Sequence, residues 1–409
     1  MLLWPRHVQF TSAGADLPSI RVDMDFTNNP TSATRSWTGI TQYCKDFTVE
    51  RGRENELSPS TPGRLEILLD NLDRRFDPSY TSGPYYPNVL PTRRIRVRAK
   101  WGTSIFNLFS GYVDDWPLEW PDGGLNAIVR VTATDAFKVL NLHDLDGESY
   151  AAQLSSARVV AVLNDAGFLV AGDEYAVETG QSTMVASGTL STGSGGLAHL
   201  QDVVTSENGV FFVNGGGVIV FQDRHYRIKN KSEAVATLGD AAGEVPYVNP
   251  VVPYGDQYLW NRAIVTPSGG TAEISADTGS TAAYYTRTLT RSSLVESQAE
   301  ALSNAQYLVS RYATPSVRVD AVDVIGASGT AHWASILGWE IGDRLVFTRR
   351  PPGGGTITLD QHAEQIGHRV TISRDWKTTL RMSPADSQAY WVLGDAANSL
   401  LGDTTRLMY

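Results

Sequence analysis

The chain has 409 residues, more than one ordinary compact core accommodates, so two to four domains are expected. Hydrophobic residues make up 42% and charged residues 19%, which excludes a disordered polyelectrolyte and a collagen-like fibre. The 34 Lys+Arg against 44 Asp+Glu leave a formal charge of −10, which argues against a molecule that grips nucleic acid through its phosphates over its whole surface.

The first residues, Met1 to His7, carry no long apolar run, and nowhere do 18 apolar residues follow one another, so neither a secretory signal nor a membrane span is expected. In 20–26 the apolar residues Ile20, Val22, Met24 and Phe26 fall at every second position, the pattern of a strand with one face buried. The same alternation recurs at 95–99 and 128–133. Pro- and Gly-rich passages at 58–63 and 82–87 lie between them and read as turns. Residues 1–145 are therefore expected to form an all-β unit. The one cysteine, Cys44, excludes an internal disulfide and a Cys-based zinc site, and lacks the context of a catalytic nucleophile.

Ser155 and Ser156 open a run with two apolar turns that ends at Gly167, which predicts a short helix with a left-handed close. A second helix at 197–204 leads into a predicted hairpin, 210–213 and 218–221, turning at Asn214-Gly215-Gly216-Gly217. Residues 146–245 thus read as a small α+β unit. Beyond them come a strand at 262–265 and a helix from Ser293, with Glu296 as its capping-box partner, running to Tyr312 before Pro315. Strands are then predicted at 317–324, 344–348, 356–359, 364–372 and 378–382, so 246–385 reads as a second β unit with one helix, and 386–409 as a C-terminal tail. No repeat of 20 to 50 residues is visible.

Candidate chemistry is sparse. His362, Glu364 and His368 resemble a metal-ligand spacing, yet on a helix the two histidines diverge by about 120°, and on a strand they stand about 20 Å apart, too far to share one ion. The glycine runs 193–196 and 353–355 lack the Lys of a P-loop and the order of a dinucleotide site, which leaves loop and helix-entry roles. The Asp114-Asp115 and His143-Asp144 pairs read as surface acids, because sequence spacing does not place two carboxylates across a glycosidic bond. No catalytic, cofactor or metal site is expected. The informative set is Arg94, Arg96, Arg98 and Lys100, which period-two spacing puts on one strand face opposite Ile95, Val97 and Ala99. It is either a solvated face or a contact with an acidic neighbour or nucleic acid, since four like charges in a row repel unless something offsets them. Ten Trp and seventeen Tyr fit cores and interfaces, or carbohydrate stacking.

Three segments in order, Ser36-Trp37-Thr38-Gly39-Ile40-Thr41, Val49-Glu50-Arg51-Gly52-Arg53 and the run 62–78 from Pro62-Gly63-Arg64 to Phe76-Asp77-Pro78, resemble the start of minor tail proteins of long-tailed (siphovirus-type) phages, particularly those infecting actinobacteria. Residues 108–113 and 131–135 look like that family's next strands, and 391–407, with its two Leu-Gly-Asp segments, is similar to its C-terminal signature.

The resemblance implies a tail-tip or baseplate hub: mainly β, with two tail-tube-like β-barrel domains (1–145 and 246–385) around a small α+β domain. Three copies would close a ring that ends the tail tube, with a distal tail or tube protein above and tip or receptor-binding proteins outside. The tape-measure protein and DNA would pass through the lumen without specific binding. It further implies a virion location at the tail tip, host cytoplasm during assembly, and a non-enzymatic role, the second β unit leaving no expected room for a peptidase or lysozyme domain. The basic stripe is then expected at a contact between subunits. A carbohydrate-binding or carbohydrate-cleaving surface protein, and a tail protein that itself contacts the host receptor, are the competing readings.

Overall fold

The computed structural model describes residues 17–32, 34–326, 330–373 and 375–385, together with the backbone of 389–390 and 405–406. The first residues and almost all of the expected C-terminal tail thus lie outside the described residues.

The first β unit contains β1 (Ser19–Asp25), β2 (Thr38–Gly39), β3 (Cys44–Gly52), β4 (Thr61–Asp70), β5 (Arg94–Trp101), β6 (Ser104–Asp115), β7 (Leu118–Glu119) and β8 (Ile128–Thr134). After α1 (Phe137–Leu142) come the short strands β9 (Ser149–Tyr150) and β10 (Gln153–Leu154), then α2 (Ser155–Asp165), β11 (Tyr175–Val177), β12 (Thr183–Met184), β13 (Gly188–Thr189) and α3 (Gly196–Glu207). The hairpin β14 (Val210–Val213) and β15 (Ile219–Gln222) precedes α4 (Tyr226–Asn230), β16 (Ala234–Leu238), β17 (Val248–Val251), β18 (Arg262–Pro267), β19 (Glu273–Ala276), α5 (Thr278–Tyr284), β20 (Thr288–Ser293) and α6 (Gln298–Tyr312). The last long elements are β21 (Ala321–Ile325), α7 (Trp333–Gly338), β22 (Arg344–Arg349), β23 (Ile357–Val370) and β24 (Trp376–Pro384).

The two expected β units are parts of one 14-stranded sheet, ordered β17-β21-β24-β23-β3-β4-β8-β6-β5-β1-β2, with β22 and β16 branching from β23 and β7 from β8. The join is antiparallel pairing of β23 with β3, from Gln365 opposite Gly52 to Val370 opposite Phe47. One edge of β23 serves two partners, because Ile357 to His362 pair with β22 before the strand switches to β3. A register shift between Ala363 and Gln365 marks the switch. Two strands predicted at 356–359 and 364–372 are therefore one bent strand. Among the described residues no strand pairing closes either unit into a barrel.

Alternation in the strands gives the sheet one apolar face. Val22, Ile95, Val97, Val49, Leu65, Ile67, Val129, Val131, Ile366 and Leu380 all belong to one buried cluster drawn from both β units. Aromatic rings stitch across the join: Phe47 meets Trp376 at 6.4 Å, Trp376 meets Trp333 at 5.1 Å, and Trp333 meets Trp101 at 6.3 Å between centroids. Such pairs contribute about 0.5–1.5 kcal/mol each beyond the area they bury. These aromatics fill the core; Trp120 is among the exposed large side chains.

A second buried cluster organises the middle of the chain, and its limits differ from the expected 146–245. It reaches from Ala136 to Ala313 and takes in Ala263, Val265, Ala301, Ala305, Leu308 and Val309 from β18 and α6. Strand β16 leaves for the large sheet by pairing β22, and β17 by pairing β21, after which the chain returns to the middle unit. The helix expected from Ser293 begins at Gln298, with Ser297 at its N-cap. Ser293 instead ends β20, paired in parallel with Pro267, and its hydroxyl accepts from the Val295 amide. A capping-box pattern lost here to sheet pairing. Helices α2 and α3 form where expected, and the left-handed close of α3 is Asn208, φ 55°.

Candidate interaction surface

Strand β5 carries Arg94, Arg96, Arg98 and Lys100 on the face opposite its buried Ile95, Val97 and Ala99. The neighbouring β1 sets Asp25 against Arg94, Asp23 against Arg96, and Arg21 against Arg98. Asp23 is fully buried and accepts from three guanidiniums: Arg21 at 2.8 Å, Arg96 at 3.0 Å and Arg98 at 2.7 Å. Burial alone would raise its pKa, and the bonds from Arg21, Arg98 and Arg96 outweigh that and lower it. Arg96 also lies 4.1 Å above the Trp37 ring.

The stripe is thus divided. The repulsion anticipated among like charges is offset inside the chain by Asp23, a residue that the strand pattern placed on β1 but did not assign to this role. Arg94 gives Nε and Nη2 to the Pro30 carbonyl and stacks 4.7 Å from Tyr112. Lys100 is exposed. Arg94 and Lys100 are the members not taken by Asp23.

Following cross-strand partners from Asp25 gives one row on one face across nine strands: Arg94, Tyr112, Thr134, Arg64, Glu50, Gly367, Thr379 and Asp323. The stripe therefore lies on the same polar face that runs unbroken over the β3–β23 join.

The opposite side of β3 holds the units together. Arg51 forks onto Glu340, 3.0 and 3.1 Å, and reaches the Val213 carbonyl, while the same Glu340 accepts from the Gly215 amide. Glu364, fully buried, accepts from Arg53 of the first unit, from Arg227 of the middle unit at 2.6 and 3.0 Å, and from Ser383 of β24. Burial would raise its pKa, but the Arg227 and Arg53 charges hold it well below the usual carboxylate value. Gly52 between the two arginines has φ +117°, and a Cβ there would stand 2.1 Å from the Glu364 carbonyl. In the sequence Arg51-Gly52-Arg53 stands out only through the tail-protein resemblance; the signal that marks the two arginines is a pair of inward charges at the end of a strand.

The histidine pair is structural. His362 Nδ1 faces the Gly342 carbonyl at 3.0 Å, and His368 Nδ1 faces Thr378 Oγ1 at 3.0 Å and Trp376 Nε1 at 3.4 Å. With Glu364 locked between arginines, the three do not converge, and among the described residues no cluster of His, Cys, Asp and Glu is arranged to hold a metal. Cys44 is buried, with burial pushing its thiol pKa up. Gly195 is the N-cap of α3, and Gly353–Gly355 lie in the loop between β22 and β23. Asp114 and Asp115 bond Thr134 and Thr132, and Asp144 accepts the Gly193 amide. Among the described residues no helix is long and apolar enough to cross a membrane.

No protein-family model matches the sequence, and no curated protein matches it. Solved structures do. A tail protein from Neisseria meningitidis aligns with TM-score 0.60 at 10% identity, over 90% of this chain and 96% of that one. This chain has the fold of phage tail proteins. The 43 kDa tail protein of prophage MuSo2 from Shewanella oneidensis aligns at 0.57 with 12% identity, over 90% and 98% of the two chains. Prophage tail protein gp18 from Listeria monocytogenes aligns at 0.50 with 11% identity, over 88% and 94%. The tail-protein fold thus extends over both parts of the large sheet and the middle unit between them.

Proposed function

We propose that this chain is a structural hub protein of the tail tip or baseplate of a long-tailed phage. The observation that carries the reading is the extent of the fold likeness, which runs over 90% of this chain and nearly all of the Neisseria and Shewanella tail proteins. In this reading three copies close a ring that ends the tail tube, each copy contributing two tube-like β units. Closure into barrels would then be completed between copies, since β2 and β17 end the sheet's main path. The ring passes the tape-measure protein and DNA and anchors tip or receptor-binding proteins outside. A net charge of −10 suits a conduit that does not retain phosphate.

Arg94 and Lys100 are the members of the stripe proposed for the subunit contact. Arg96 and Arg98 are not suitable test positions, because reversing either would set a second carboxylate against buried Asp23. Immunogold labelling of phage particles that contain this chain tests the location: label at the distal end of the tail is expected, and label on the head or along the tube would contradict the reading.

A further inference from the structure

The β3–β4 loop, helices α3, α4 and α6, and His362 of β23 line a cavity of about 130 Å³ where the three units meet. Leu57, Val204, Phe211, Ile228, Tyr307 and Leu308 give it an apolar wall. Four of them, Leu57, Val204, Ile228 and Tyr307, are only half-buried, so apolar surface is left to cover. The charges around the cavity do not select an occupant, because they are met within the chain. Arg53 and Arg227 share Glu364, Arg224 takes Glu207 and Glu300, and Glu56 is taken by Arg318. Asp223 accepts from Gln181, Arg291 donates to Asn208, and Arg311 donates to the Pro384 carbonyl. Size and a tether are the discriminating features. An apolar cavity of about 150 Å³ takes up benzene, so this one suits a single aromatic ring. The tether is the end of β24. Pro384 pairs opposite Gln361, and its carbonyl is held by Arg311 of the wall at 2.7 Å. The Ala385 amide then donates to the Asp360 carbonyl, so the chain leaves the large sheet at the rim of the cavity. A little further on, the backbone of Ala389–Tyr390 pairs in parallel with that of Thr405–Arg406. The step from Ala385 to Ala389 spans at most about 14 Å, which keeps the base of the 391–404 loop near Arg311.

We propose that this cavity is the docking site for segment 391–404 of the same chain, with the six-membered ring of the Trp391 indole as the group that fills it. Trp391 directly follows the paired base, and Val392, Leu393, Leu400 and Leu401 in the same segment supply further apolar surface for the half-buried wall. The occupant is intramolecular because the paired base is tethered at the rim, which gives the segment a high effective concentration at this cavity. Docked there, the segment is a strap. It fastens the β3–β4 loop of the first β unit to α4 and α6 of the middle unit, a connection additional to the Glu364 cluster and independent of how copies assemble.

The photo-cross-linker p-benzoylphenylalanine, placed at position 391 of the full-length chain, tests the contact after irradiation and peptide mapping. Cross-links within one chain to 56–60, 201–211, 224–228 or 307–312 are expected. Cross-links that map only elsewhere on the chain, or that join two copies, overturn the proposal; the second result would assign the cavity to a neighbour's segment. Hydrogen exchange reads the strap separately. In Trp391→Ala the amides of 55–58 and 226–231 are expected to exchange at least about fivefold faster, while β4, β8 and β5 keep their protection and Trp391→Phe restores the wild-type rates. Retained protection in those strands separates a lost strap from a misfolded variant, and wild-type exchange at 55–58 and 226–231 in Trp391→Ala overturns the proposal.

Discussion

Glu364 concentrates the energetics of this molecule at one residue. Three units converge on its carboxylate through Arg53, Arg227 and Ser383, and removing one member of such a buried set leaves the others charged and uncompensated. Glu364→Gln is expected to cost about 3–5 kcal/mol in chemical denaturation; a loss below about 1 kcal/mol would show that water already compensates the arginines. The acid limb carries the same information. A carboxylate with a depressed folded pKa adds stability that is complete above its unfolded value near 4.5 and drains away as pH falls below it. His199, His362 and His368 act over a different window. Burial lowers them to about 4, 3 and 3, so the unfolded chain takes up their protons from pH 6.5 downward while the folded chain does not. Stability is therefore expected to decline from about pH 6.5 and more steeply below 4.5, with Glu364→Gln flattening only the lower part. Denaturation midpoints between pH 3 and 8 measure both.

The decisive element is β23, whose bend at Glu364 lets one strand serve β22 and then β3. Gly52 fits there because its backbone is at φ +117° and no Cβ intervenes at the Glu364 carbonyl. Gly52→Ala should cost about 1–3 kcal/mol, the usual range for forced overpacking, and open the β3–β23 pairing first. Hydrogen exchange at Arg51 and Ile366 would register that opening, and unchanged protection would refute it. Strands such as β1, β5 and β8 were legible because one face is apolar and the other wet, which writes a period of two into the sequence. β3 was not, because Arg51 and Arg53 place buried charges where that period calls for apolar side chains. The bounds of the middle unit were hidden for a related reason. Its core is assembled from Ala136 to Ala313 with β16 and β17 exported to the sheet between, and composition does not record such an excursion. The stripe on β5 was visible, whereas its compensation by Asp23 depended on cross-strand register, which alternation alone leaves open.

At the scale of the whole molecule, one sheet, one shared aromatic core and two charge clusters bind the units into a single body. The Arg51–Glu340 and Arg53–Glu364–Arg227 contacts each cross between units, so calorimetry is expected to give one cooperative transition. Two separated transitions would mean that the middle unit unfolds independently. The fold is that of phage tail proteins, and such a fold becomes a hub only if copies close around the tube axis. Cryo-electron microscopy of the distal tail in particles containing this chain tests that claim most directly. The account predicts three copies in a ring that terminates the tube, its lumen continuous with the tube above; density for this chain away from the tip, or at the tip without three-fold closure, would contradict it.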